Sequence, residues 1–188
     1  MPIDERLIFY EGKHVRLKVL SPQDVEESDW AGWFNDEALC AFNQHHYFPN
    51  TLAHQQEILN TCASATRLQL GIVDRAAPEK ICGVVSLSAI DWVHRHAEIA
   101  GIQDARYTKS NSALFLESWS IMLRHGFEQL GLNKIYGGTF HPHVADALTR
   151  AFNFAVEGVR RRHVFKNGKY HDATLVAVFC DTIRYPDL

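Results

Sequence analysis

From His14 to Leu20 (HVRLKVL) apolar and charged side chains alternate, the period-two pattern of a strand with one buried face. Ser21-Pro22 follows, a capping residue and then one that fits the first turn of a helix. Val25, Trp30 and Trp33 carry the predicted helix to Asn35-Asp36, and the helical spacing of the two tryptophans assigns them to the core. A second helix is predicted to begin after Pro49-Asn50-Thr51 and run through Ala63, with an aromatic and polar loop, Asn43 to Phe48, between the two. Leu68–Val73 and Lys80–Ile90 read as a hairpin across the turn-like Asp74 to Pro78, and Ala97–Gln103 as the next antiparallel strand. Leu116, Trp119, Leu123, Gly126 and Leu130 then recur at three- and four-residue spacing, predicting a long helix that stops at Gly131. Asn133–Phe140 reads as a strand and Val144–Asn153 as a helix. Val159–Phe165 and Ala173–Cys180 are strands about an Asn167-Gly168 turn. The order βααβββαβαββ predicts an α/β (α+β) fold around a mixed sheet.

Composition narrows the class without naming it. The 188 residues suit one domain, 1–188, and 46% hydrophobic with 22% charged residues is ordinary globular usage. Nineteen Lys and Arg against 22 Asp and Glu give a net charge of -3, which supplies no broad surface for nucleic acid or an anionic membrane. No apolar run reaches membrane-spanning length and the first residues, MPIDERLIFY, do not read as a leader. Cys40, Cys62, Cys82 and Cys180 are far apart, so a reducing, cytoplasmic setting is expected.

Candidate chemistry concentrates between Ala97 and Leu130. The strand AEIAGIQ leads through Asp104 to Ser112 into the long helix, whose first amides lack internal partners and attract phosphate. Thr108, Ser110, Asn111 and Ser112 are small polar residues able to turn and cap there, and Lys109 adds a positive charge; an ordinary solvated helix cap uses the same residues. Glu98 is the candidate general base, or else a strand carboxylate paired with Arg95 or His96. The pairs His45-His46, His94/His96 and His141/His143 have no predicted third ligand, so no metal is expected. Arg160-Arg161-Arg162-His163 reads as a solvated edge strand.

These elements, and especially AEIAGIQDARYTKSNSA running into FEQLGLNKIYGGTF, resemble the GNAT superfamily of acyl-CoA-dependent N-acetyltransferases. Within it the chain is most similar to the branch with ribosomal-protein N-terminal and amino-sugar acetyltransferases, on LGLNKIY, NGKYHD and the FAVEG at Phe154–Gly158. The resemblance implies a mostly antiparallel central sheet with helices on both faces, splayed between its fourth and fifth strands. It also implies acetyl-CoA as co-substrate and transfer of the acetyl group to a primary amine, with no metal and no covalent acyl-enzyme. A small amine such as an amino sugar is favoured and a protein N-terminal amine comes next; a homodimer is left open. By the same resemblance Glu98 acts as base. Ile102 and Gln103 pair with the pantetheine arm, residues 108–113 including Ala113 hold the diphosphate, and His141 lies near CoA. Tyr47, Tyr170 and His171 border the acceptor. Two features depart from the family: in a loop that usually reads Arg/Gln-x-x-Gly-x-Gly/Ala, Thr108 stands at the basic position and Asn111 at the first Gly, with Ala113 at the second, and Thr149 stands where many members carry a Tyr as general acid, with Asn153 for the following Gly. The rival reading is a non-catalytic acyl-CoA-binding module on the same fold.

Overall fold

The predicted first strand forms, as β2 (Val15–Val19), but the sheet begins one strand earlier with β1 (Ile8–Glu11), antiparallel to it. The computed structural model describes residues 3–104, 106 and 112–187. The single helix expected from Ser21 to Asn35 is two, α1 (Pro22–Glu27) and α2 (Trp30–Trp33). Ser28 causes the break: its hydroxyl donates to the Asp24 carbonyl and accepts from the Trp30 amide at 3.1 Å, so a side chain takes over backbone partners at that step. Helix α3 (Leu52–Leu59) starts where expected, with the Thr51 hydroxyl accepting from the His54 amide, and stops short of Ala63 because Ala63–Ser64 forms a short strand, β3.

Strands β4 (Arg67–Asp74), β5 (Gly83–Asp91) and β6 (His96–Gln103) make the expected antiparallel run. Helix α4 (Ser112–Arg124) continues into one π turn, His125–Gln129. Gly126 lies in that turn because a Cβ there would sit 2.7 Å from Ile135 Cδ1, so the helix end can press onto the sheet only without a side chain. Strand β7 (Lys134–Thr139), helix α5 (Val144–Phe152) and the hairpin β8 (Ala155–Lys166) and β9 (Lys169–Phe179) complete the chain. β8 is longer than its apolar core predicts, and Arg162, at φ 49°, sits in a bulge rather than in simple alternation.

The sheet has nine strands in the order β1-β2-β4-β5-β6-β7-β9-β8, with β3 on β4. All pairs are antiparallel except β6 with β7, which are parallel and joined only at His96–Lys134, Ala97–Ile135 and Glu98–Tyr136. Beyond Glu98 the two strands part. This is the expected splay, between the sixth and seventh strands once β1 and β3 are counted. One face of the sheet packs Val85, Leu87, Ile99 and Ile135 against Trp119, Met122 and Leu123 of α4 and Phe152 of α5. The other packs Val73 and Val84 against Trp30, Trp33 and Val25 of the first helices, which confirms both tryptophans as core. Two buried carboxylates tie the elements together. Glu117 of α4 accepts the amides of Lys13, His14 and Val15 at 2.6, 2.7 and 2.9 Å. Asp24 takes both 2.7 Å bonds of the buried Lys18 ammonium.

Candidate active site

A cleft of about 1230 Å³ opens where β6 and β7 diverge. It reaches both faces of the sheet, being lined by Phe115, Trp119 and Leu148 on one side and by His45, Tyr47 and Gln55 on the other. Glu98 stands at the last paired position of β6, half-buried and facing the cleft. Among the described residues it makes no ion pair with Arg95 or His96. Arg95 instead donates to the Gly131 carbonyl at 3.3 Å, and the His96 ring stacks on His94. Tyr136 lies opposite Glu98, and burial together with that carboxylate pushes its phenol above the ordinary tyrosine range.

Ile102 and Gln103 also line the cleft, and both are paired on one side through β5. On the other side β6 past Glu98 has no strand neighbour among the described residues, which leaves a backbone edge of the kind an extended ligand arm can pair with. Gly101 brings this edge against the core: a Cβ there would lie 3.1 Å from Trp119 Nε1. Thr108, Lys109, Ser110 and Asn111 lie outside the described residues. Ser112 and Ala113 open α4, outside the cleft lining. At the start of this segment Asp104 receives 2.9 Å bonds from the Arg106 amide and guanidinium and a 3.3 Å bond from Trp33 Nε1. The Arg106 guanidinium, foremost, holds the Asp104 carboxyl below its usual range.

His141 borders the cleft with its ring against Phe42, 4.7 Å between centroids, and its Nδ1 accepts the His143 amide at 3.2 Å. Burial, and His143 beside it, lower its affinity for a proton. Tyr47 lines the cleft while its hydroxyl donates to the Phe165 carbonyl at 2.9 Å and its ring lies under the Lys166 ammonium. Tyr170 and His171 fall outside the lining. Tyr170 is exposed against Phe165, and His171 packs beside Phe140 with Nε2 at 3.3 Å from the Lys166 carbonyl. Thr149 donates to the Ala145 carbonyl at 3.0 Å, and Asn153 adopts the left-handed conformation (φ 63°) in which the family's glycine would serve.

The polar groups on the α3 side of the cleft went unread in the sequence. Arg67 and Gln69 on β4, Ser86 and Ser88 on β5 and Glu98 on β6 share the face toward α3, by the pairs Gln69–Ser86 and Ser88–Glu98. The signal was present: RLQLGIV begins with two polar side chains at alternate positions, which a reading of its apolar content passes over.

No protein-family model matches the chain. YoaA of Bacillus subtilis (strain 168), an uncharacterized N-acetyltransferase, is 26% identical over 168 residues, which span 86% of this chain and 91% of YoaA. Among solved structures, the spermidine N-acetyltransferase of Vibrio cholerae in complex with CoA and spermine superposes with a TM-score of 0.79 at 20% identity. The match covers 91% of this chain and 98% of that one. The ribosomal-protein-S5-alanine acetyltransferase of Vibrio fischeri gives 0.74 at 18% identity, over 93% and 98%. These structures share the chain's fold, that of the GNAT acetyltransferases, and the relative matched along most of both sequences is named an N-acetyltransferase.

Proposed function

We propose that the protein is an acetyl-CoA-dependent N-acetyltransferase that acts on a small primary amine in a ternary complex, with Glu98 as general base. The observation that carries this reading is the position of Glu98: the last paired residue before the splay, half-buried, without an ion-pair partner among the described residues, in a cleft open to both faces. A thioester can enter along the free edge of β6 from one face and an amine from the other, so the two reactants meet beside the carboxylate. The co-substrate supplies the activated acetyl carbonyl. The chain's part is to hold the pantetheine arm along Ile99–Gln103, to exclude water with Phe115 and Trp119, and to take the amine's proton at the Glu98 carboxylate, directly or through water. No cysteine lines the cleft among the described residues, consistent with direct transfer. That a protein of this fold has been solved with CoA and spermine supports the choice of co-substrate and of an amine acceptor. Three buried free thiols suit a reducing cytoplasm.

Glu98→Gln is expected to lower turnover about 10²- to 10⁴-fold with CoA affinity little changed. Steady-state kinetics at saturating acceptor, with CoA titration by calorimetry, tests this; unaltered turnover rejects the assigned base. Thr149 in place of the family's tyrosine is the observation that favours a non-catalytic module. Acetyl-CoA binding without turnover on any amine would establish that alternative.

A further inference from the structure

We infer that the acceptor carries an anionic oxygen group, a carboxylate or phosphate, on a short spacer from its amine, and that Arg67 and Gln55 bind it; this rests on the acceptor assignment above. The cleft on the α3 side holds two buried donors without a partner in the protein, Gln55 Nε2 and Arg67 Nε. Gln55 is fully buried, its Oε1 accepts from Asn50 Nδ2 at 3.0 Å, and its buried Nε2 has no protein partner. Arg67 reaches the same cleft from β4. Its Nη2 donates to Gln69 Oε1 and its Nη1 approaches Thr61 Oγ1 at 3.5 Å, while its Nε is buried without a partner. No ion pair among the described residues includes Arg67.

A half-buried guanidinium whose Nε is shut off from water and has no counter-charge is costly, and so is an orphaned buried amide. One oxyanion relieves both. The charge layout fits an acceptor with opposite ends. Of the described residues lining the cleft, Glu98 alone is a carboxylate and Arg67 alone a guanidinium or ammonium bearer. They stand on strands two apart, so their backbones are separated by about 10 Å. With both side chains reaching inward, an amine at Glu98 and an anion at Arg67 span a small molecule. A polyamine finds no second carboxylate there and meets Arg67 with like charge, so the chain is not built for the spermine that its fold neighbour holds.

The experiment compares matched acceptors: 4-aminobutyrate with its amide, glucosamine 6-phosphate with glucosamine, and spermidine as the cationic arm. Acetylation gives kcat/KM, and calorimetry in the presence of CoA gives affinity whether or not transfer occurs. At least one anionic member is expected to exceed its neutral partner tenfold or more, and which pair shows it tells carboxylate from phosphate. In Arg67→Gln and Gln55→Leu that ratio is expected to fall at least tenfold, with Arg67→Lys retaining part of it. Equal use of both members, or preference for spermidine, overturns the inference on the wild-type protein alone. Should no amine be acetylated, the proposed reaction fails, while the calorimetric ratios still decide the anion site.

Discussion

Glu117 enters the sequence as the one acidic residue of α4, and its carboxylate ends up receiving three successive backbone amides from the turn between β1 and β2 and the first residue of β2. Charged acceptors strengthen such bonds, and their removal leaves buried donors unsatisfied. Glu117→Gln is therefore expected to cost about 2–3 kcal/mol of stability, read from urea unfolding, since the amide puts N–H groups where N–H groups already converge. Residues of this kind mark the limit of what a sequence displays. The place of Glu98 on its strand was legible because the strand around it and the helix after it are local patterns. The meeting of Gln55 and Arg67 was not, because it happens in a cleft assembled from α3, β4 and β6. Asn153 looked like a loss against the family's glycine, and it takes the same left-handed backbone, with its Nδ2 donating to the Thr182 carbonyl at 2.8 Å.

Elements with sustained period were read well: β4 to β6, β7, α4 and the final hairpin lie where alternation or helical spacing put them. The misses have local causes. Ser28 divides a helix that apolar spacing joins, and Ile8–Glu11 is a short edge strand with a register shift against β2. The π turn after α4 is a third case, since the spacing of Leu116 to Leu130 suits a continuous helix and only contact with β7 reveals the wider turn. In a free helix Gly126→Ala would gain about 1 kcal/mol. Here the new methyl meets Ile135 and Leu87, both fully buried and unable to give way, so a net loss of about 1–2 kcal/mol is expected from thermal or chemical unfolding. A gain in stability would mean that the helix end is not pressed onto the sheet.

Across the whole molecule, several histidines and carboxylates resist protonation together. Burial lowers the proton affinity of His125, whose Nδ1 is 2.7 Å from the Tyr10 hydroxyl, and of His45. A histidine with a depressed folded pKa binds its proton more readily when unfolded. Its contribution is complete above the unfolded value, about 6.5, and is lost as pH falls through the folded value. Asp104 and Asp29 are held down by Arg106 and by Lys80 with Arg106, respectively; theirs is complete above about pH 4 and lost below it. Melting temperature is expected to decline in two stages on acidification, and His125→Gln to shallow the upper one, as calorimetry from pH 8 to 3 would record. The parting of β6 from β7 has a mechanical consequence at this scale. Three residue pairs form a seam between two half-sheets that are otherwise continuously laced. A pantetheine arm laid along the open edge would act as a splint, adding backbone bonds where the sheet lacks them. Occupancy and rigidity would then rise together, the loaded protein being the better-knit one by the free energy of binding.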